Sequence, residues 1–178
     1  MERRELLAGF AAFAGIGAAA SSAQAAPGQP ATGMVVEAVQ MPAWISRDGQ
    51  RRPLSPGDAV NTAQEVETAA AAALVLKLPE GSLVRLGEKT RLGVQRLEVN
   101  AADGRTAVQS ELKLFDGFFR FATSAVAKVA GQRQIDVTLR TATIGIRGTD
   151  FWSMTDEEHD AACIFEGRIA LDTRDQGA

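Results

Sequence analysis

The chain is poorest in the residues that do chemistry. Its 178 residues include one cysteine, Cys163, one histidine, His159, two tryptophans and no tyrosine. A single cysteine excludes an intramolecular disulfide and a multi-cysteine metal site, and is expected to behave as a small buried hydrophobe. A single histidine removes most of the usual general-base and metal-ligand chemistry. There is no Gly-x-Ser-x-Gly elbow, phosphate loop, His-Glu-x-x-His or paired-cysteine motif. Basic residues form no block: 19 Lys and Arg stand against 22 Asp and Glu, for a formal charge of −3. Nucleic-acid binding therefore has no electrostatic footprint.

What is present is apolar and turn-rich. With 46% hydrophobic residues and 17 glycines, the composition is that of a soluble globular protein, and the length suits one folded unit. Arg3 and Arg4 precede a short apolar stretch over residues 6–20, then Ser21, Ser22 and the small-x-small run Ala23, Gln24, Ala25. This is the order of a secretory signal, so residues 1–25 are expected to be cleaved after Ala25. Arg3-Arg4-Glu5-Leu6-Leu7 leaves the Sec and twin-arginine routes both open. A membrane anchor needs about 20 strongly apolar residues, and this stretch is shorter and rich in Ala and Gly. No stable membrane span is expected after cleavage, and the expected location is periplasmic or secreted. Residues 26–33, with Pro27, Gly28, Pro30 and Gly33, read as a flexible linker, and residues 175–178 as a tail.

Between them, residues 34–174 break into short apolar or alternating runs bounded by turn residues, the pattern of an all-β protein. The runs cover residues 34–39, 74–78, 83–86, 135–139, 143–146, 150–154, 162–165 and 168–171. The clearest hairpin joins Leu74-Val75-Leu76-Lys77-Leu78 to Leu83-Val84-Arg85-Leu86 through Pro79-Glu80-Gly81-Ser82. Proline presets φ there, and Gly81 tolerates a positive φ. Two segments oppose the β reading. Ala69 to Ala73 are five alanines in a row, with a helical preference. Phe118, Phe121, Ala122, Ala125, Val126 and Val129 recur at helical spacing, with Gly131 as a stop. The expected fold is a single all-β domain of short strands, solenoid-like or sandwich-like, with at most one short helix over residues 121–130.

Read with their turns, these runs resemble the FecR domain, named after a regulator in bacterial ferric citrate sensing. Leu54-Ser55-Pro56-Gly57-Asp58-Ala59-Val60-Asn61-Thr62 is similar to its opening. Residues 76–86 followed by Lys89-Thr90-Arg91-Leu92 are similar to its strand, acidic-Gly-Ser turn and strand, and Leu112-Lys113-Leu114-Phe115-Asp116-Gly117-Phe118 resembles a leucine-rich strand ending at glycine. The most specific stretch is Thr141-Ala142-Thr143-Ile144-Gly145-Ile146-Arg147-Gly148-Thr149-Asp150-Phe151, followed by Phe165-Glu166-Gly167-Arg168-Ile169-Ala170-Leu171. The resemblance spans roughly residues 34–173. The best-known members carry a cytoplasmic anti-sigma segment and a membrane helix before the domain. Here a leader is expected to run directly into it, so the resemblance implies only the extracytoplasmic role of partner recognition.

The signature also has a physical reading. Ile144 and Ile146 point to one side, Gly145 and Gly148 allow close approach or a sharp corner, and Phe151 re-enters the core. Arg147 is expected inside the domain, where a charge needs a partner, with Glu166 and Asp150 the natural candidates. Arg147, Gly148, Thr149, Glu166 and Gly167 are thus expected to form a structural latch rather than a ligand surface.

Asp156-Glu157-Glu158-His159-Asp160 with Cys163 could suggest a metal site. However, His159 and Cys163 on one strand are about 13 Å apart, and zinc needs about four convergent ligands. A solvated acidic loop is the better reading, and no catalytic, cofactor or metal residue is assigned. Trp152 alternates with Phe151, so one of the pair faces outward. That makes Trp152 the candidate surface contact, ahead of Trp44. The function expected is a non-enzymatic protein-interaction or sensing module of the cell envelope, its partner an envelope or membrane protein. The alternative is a binder of cell-wall or surface polysaccharide, with Trp152 or Trp44 as a stacking platform.

Overall fold

The computed structural model describes residues 33–102, 105–129 and 133–173. The expected leader, nearly all of the linker, Gly131 and the tail lie outside the described residues. In chain order the elements are β1 (Met34–Gln40), β2 (Ala43–Arg47), β3 (Gln50–Pro53), β4 (Ala59–Val60), β5 (Gln64–Thr68), β6 (Ala73–Lys77), β7 (Leu83–Leu86), β8 (Arg91–Ala102) and β9 (Arg105–Ala122). A short helix α1 (Ala125–Val129) follows, then β10 (Arg133–Thr138), β11 (Ala142–Thr155) and β12 (Asp160–Thr173). The chain is therefore nearly all β with one short helix, as its alternating pattern implies, and its sheet curls into a half-barrel. Among the described residues no helix is long and apolar enough to cross a membrane.

The strands run β3-β2-β5-β8-β9-β7-β6-β1-β4, with β10, β11 and β12 branching from β9. Every pairing is antiparallel except that of β9 with β10. Two long strands make the curl. The first half of β9 lies between β8 and β10, and its second half lies between β7 and β11. Likewise β11 pairs with β10 over residues 143–146 and with β9 over residues 150–155. Since β9, β10 and β11 all pair with one another, the sheet closes on itself there.

Each bent strand turns at a glycine. Gly117 in β9 sits at φ 88° and Gly148 in β11 at φ 74°, a region that strains any residue with a Cβ. A Cβ on Gly117 would also lie 2.4 Å from Thr90 Oγ1. Thr90 holds this corner by accepting from the Phe118 N–H at 3.1 Å and donating to the Glu88 carbonyl at 3.0 Å. The core fills the inside of the curl with alternate residues of both bent strands. Phe119 and Phe121 of β9 pack on Phe151 of β11, with centroids 5.5 and 6.2 Å apart, the first pair edge-to-face. All three are fully buried, as are Leu74, Leu76, Leu112, Val137 and Ile144. Each such side chain contributes about 1.5–3 kcal/mol relative to exposure.

The Pro79-Glu80-Gly81-Ser82 reversal forms as its residues dictate. Gly81 takes φ 90° and donates to the Leu78 carbonyl at 2.8 Å, and β6 pairs with β7. Three details differ from the sequence expectation. The alanine run makes a turn with Ala71 at φ 56° and then opens β6. Five alanines are too few to nucleate a helix in water, where about 12–15 residues are marginal, so strand pairing wins. Phe121 and Ala122 end β9 rather than start a helix, and α1 is only five residues, its Ser124 cap accepting from the Ala127 N–H at 3.0 Å. Finally, the runs at 143–146 and 150–154 are one strand, as are those at 162–165 and 168–171. Bulges carry them round the corner without breaking the pairing.

Candidate functional site

The Ile146-Arg147-Gly148-Thr149 bend is where β11 turns, and β12 turns with it. Gly148 at φ 74° faces Gly167 at φ 88°, and the β11–β12 register shifts between Arg147 and Asp150. The approach is backbone to backbone: a Cβ on Gly167 would lie 2.7 Å from the Gly148 carbonyl oxygen. Buried Thr149 ties β11 to β12 and to the connection that follows β9. Its hydroxyl donates to the Arg168 carbonyl at 2.5 Å, while its own carbonyl accepts from the Thr123 N–H and hydroxyl at 3.3 and 2.9 Å. Ile146 and Phe151 enter the core on either side of the bend.

Arg147 is not inside this bend. It is exposed on the outer face and forms no ion pair among the described residues. The two carboxylates expected to meet it are taken by cations brought in from elsewhere. Asp150 receives a bidentate Arg120 guanidinium at 2.9 and 2.6 Å, and Glu166 receives Lys128 of α1 at 2.6 Å. The hydrogen bonds from Arg120 hold the Asp150 carboxyl below the usual aspartate range. Arg147 is left with the like-charged Arg168 as its cross-strand neighbour.

Trp152 and Phe151 divide as the alternation requires, with Phe151 fully buried and Trp152 on the outer face, half-buried. There Arg85, Arg120, Trp152 and Cys163 form one row across β7, β9, β11 and β12. The Phe118 ring lies 6.4 Å from that of Trp152, and the Arg120 guanidinium lies 5.0 Å over the ring of Phe165. Gly87 makes room for Phe118, since a Cβ there would lie 2.1 Å from the ring. The result is an aromatic strip of Phe118, Trp152 and Phe165 crossed by an arginine. Trp44 has no such setting, because the Arg51 guanidinium covers its ring at 3.8 Å. Cys163 is exposed rather than buried. It sits on β12 opposite Trp152.

The other feature of this region is β12 itself. Three strands pair on one side only among the described residues: β3, β4 and β12. The first two are blunted in the way edges usually are. β3 is four residues long with Arg51, Arg52 and Pro53, and β4 is two residues. β12 is fourteen residues long and carries Ile164, Phe165 and Leu171 exposed at 46, 60 and 56%. Opposite them in β11, Phe151 and Ile144 are fully buried. Ile164 and Leu171 therefore extend the core-side face of the sheet past the point where the core ends. The sequence reading missed this edge. Its signal is Cys163-Ile164-Phe165, an apolar run on both faces of a strand that has core on only one.

The acidic segment is the β11–β12 turn. Asp156 accepts from the backbone N–H groups of Glu158 and His159, both at 2.8 Å, and its carboxylate lies 3.2 Å from His159 Nδ1. These hydrogen bonds, that of His159 first, hold Asp156 below the usual range. Asp160 closes the turn at its other end, accepting from the Thr141 N–H and hydroxyl at 2.6 and 2.5 Å and from the Thr155 hydroxyl. Among the described residues no group of three or more His, Cys, Asp or Glu could share a metal ion.

A family model described as FecR protein matches residues 64–170, from the start of β5 to three residues before the end of β12. The Leu54 to Thr62 stretch, which the resemblance also included, lies before that match. No curated protein and no solved structure matches the chain.

Proposed function

The chain belongs to the FecR family, and on that premise we propose that it is a non-enzymatic, exported interaction or sensing module of the cell envelope. The family is a regulatory and sensing one. The observation that carries the reading is the β12 edge: fourteen residues paired on one side only, apolar where β3 and β4 are charged or cut short. An extended segment of an envelope or membrane protein would add to it as a further strand, its backbone bonds giving affinity and its side chains meeting Ile164 and Phe165. Export rests on the leader pattern of residues 1–25.

The lone thiol makes the test direct. Cys163 is exposed on β12, so a thiol-specific photocrosslinker placed there in intact cells should capture one discrete envelope protein. The same reagent on Arg51→Cys in the Cys163→Ser background probes the blunted β3 edge and should capture none. Identical products from both positions, or no product from Cys163, would sink the reading.

The strip of Phe118, Trp152 and Phe165 supports the second reading, a polysaccharide laid across the outer face. Aromatic rings offer apolar platforms with specific geometry, and Arg85 and Arg120 flank them. Under that reading Trp152→Ala loses retention on immobilised cell-wall glycan while the Cys163 crosslink is unchanged.

A further inference from the structure

The β12 edge has a property beyond its being open: part of it is self-complementary. Gly167, at φ 88°, divides the strand at the bulge. Beyond the bulge runs Arg168-Ile169-Ala170-Leu171-Asp172. Laid antiparallel against a copy of itself with Ala170 on the two-fold axis, this stretch puts Arg168 opposite the copy's Asp172. Ile169 meets Leu171, and Ala170 meets Ala170. The opposite-charge pair and the apolar pair are each formed twice, because the axis repeats them.

The faces agree as well. Ile169 and Leu171 lie across from Ile146 and Ile144 of β11, both buried, and so belong to the core side of the sheet. Arg168, Ala170 and Asp172 belong to the outer side. Pairing about Ala170 thus sets apolar against apolar on the inner face and charge against opposite charge on the outer face. The backbone agrees too. The Arg168 carbonyl turns inward to the Thr149 hydroxyl, and since N–H and C=O alternate in direction along a strand, those of Ile169 and Leu171 turn outward. In the two-fold pair these two residues exchange their N–H and C=O bonds, and Ala170 falls at the close, non-hydrogen-bonded position on the axis.

We propose that the occupant of residues 168–172 is a second copy of this chain, forming a two-fold dimer by antiparallel pairing of β12 about Ala170. This rests on the β12 edge being a recognition surface. It leaves residues 161–165, on the other side of the bulge, for the envelope partner, since in this register the copy's Thr173, the last residue described, falls opposite Gly167.

Charge exchange tests it on the full chain by sedimentation velocity over a concentration series. Arg168→Asp sets Asp against Asp twice, and Asp172→Arg sets Arg against Arg twice, so each variant alone should dimerise about tenfold more weakly or worse. An equimolar mixture of the two restores both pairs and should associate as the unaltered chain does. Both positions are exposed, and unchanged melting temperatures verify folding. A second measurement uses the axis. Ala170→Cys in the Cys163→Ser background should oxidise to a disulfide dimer, because the paired Cα atoms would lie about 4.5 Å apart, within disulfide reach. Ala161→Cys in the same background should not. A chain monomeric at every concentration overturns the proposal, as does a mixture no tighter than its components, or a dimer indifferent to both substitutions. If the chain is monomeric while Cys163 still captures an envelope protein, the dimer fails and the functional reading stands. If it dimerises while Cys163 captures nothing, the reverse holds.

Discussion

At Gly167 two separate costs meet in one residue. The backbone is held at φ 88°, and a Cβ would lie 2.7 Å from the Gly148 carbonyl oxygen and 3.1 Å from Thr149 Cα, neither of which is a flexible side-chain end. Gly49 carries the first cost alone: its φ is 79°, with nothing within 4 Å of a Cβ. Left-handed backbone costs an L-residue about 1–2 kcal/mol, so Gly49→Ala should destabilise by that much. Gly167→Ala, which must also part the two strands, should cost about 2–4 kcal/mol and lower the melting temperature by roughly 5–15 °C. Equal shifts for the two variants in a thermal melt would show that the bend is not a close backbone contact. That a glycine is needed in this signature is legible in the sequence; which charges pair around it is not. Arg120 lies 30 residues from Asp150, and Lys128 lies 38 from Glu166. Only the folded sheet brings them together, which is why Arg147, although three residues from Asp150, pairs with neither carboxylate among the described residues.

Strands whose faces differ were the readable elements. β6, β7 and the core half of β11 alternate cleanly between a buried and a less buried face, and the period of two announces them. β12 does not alternate in burial, being exposed along nearly its whole length, and its apolar residues fall into two shorter runs. An edge strand lacks the burial that imprints a pattern, and its role depends on what lies beyond it, which sequence spacing cannot encode. The backbone of this element nevertheless makes a sharp prediction. With the Arg168 carbonyl turned toward Thr149, the N–H groups of Arg168 and Ala170 bond to β11, while those of Ile169 and Leu171 face outward. Amide hydrogen exchange on dilute protein should therefore alternate, slow at 168 and 170 and fast at 169 and 171. As concentration rises through the dimer range, 169 and 171 should slow toward their neighbours. Four equally fast amides in dilute protein would mean that β12 is not stably held to β11.

For the whole molecule, the all-β class was legible because composition and alternation act locally, whereas the half-barrel was not, because it depends on β9 and β11 each pairing with two different sets of neighbours. The folded molecule also holds carboxyls shifted in opposite directions, and its stability should record both. Asp58 is held below the usual range chiefly by the hydrogen bond from Arg52, and Asp150 by those from Arg120. At Asp160 burial pushes upward, but the hydrogen bonds from Thr141 and Thr155 outweigh it and the carboxyl again falls low. A lowered carboxyl binds its proton less readily in the fold than in the unfolded chain. Its stabilisation is therefore complete above the ordinary aspartate range and is lost as pH falls through the folded value. Glu80 works the other way. Burial at the β6–β7 turn lifts it above the usual glutamate range. Neither oxygen completes a hydrogen bond, although its own backbone N–H, the Ser82 hydroxyl and the Arg133 charge oppose the shift. The fold takes up this proton at a pH where the unfolded chain has not, so the penalty is full above the folded value and fades as pH falls toward the ordinary range. The melting temperature should accordingly rise from neutral pH to about pH 5 and drop below about pH 4. Glu80→Gln carries an uncharged group at every pH, so its profile should lose the rise and keep the drop, while Asp160→Asn should shrink the drop and keep the rise. A Glu80→Gln profile that still climbs between pH 7 and 5 would place the source of the rise at another group.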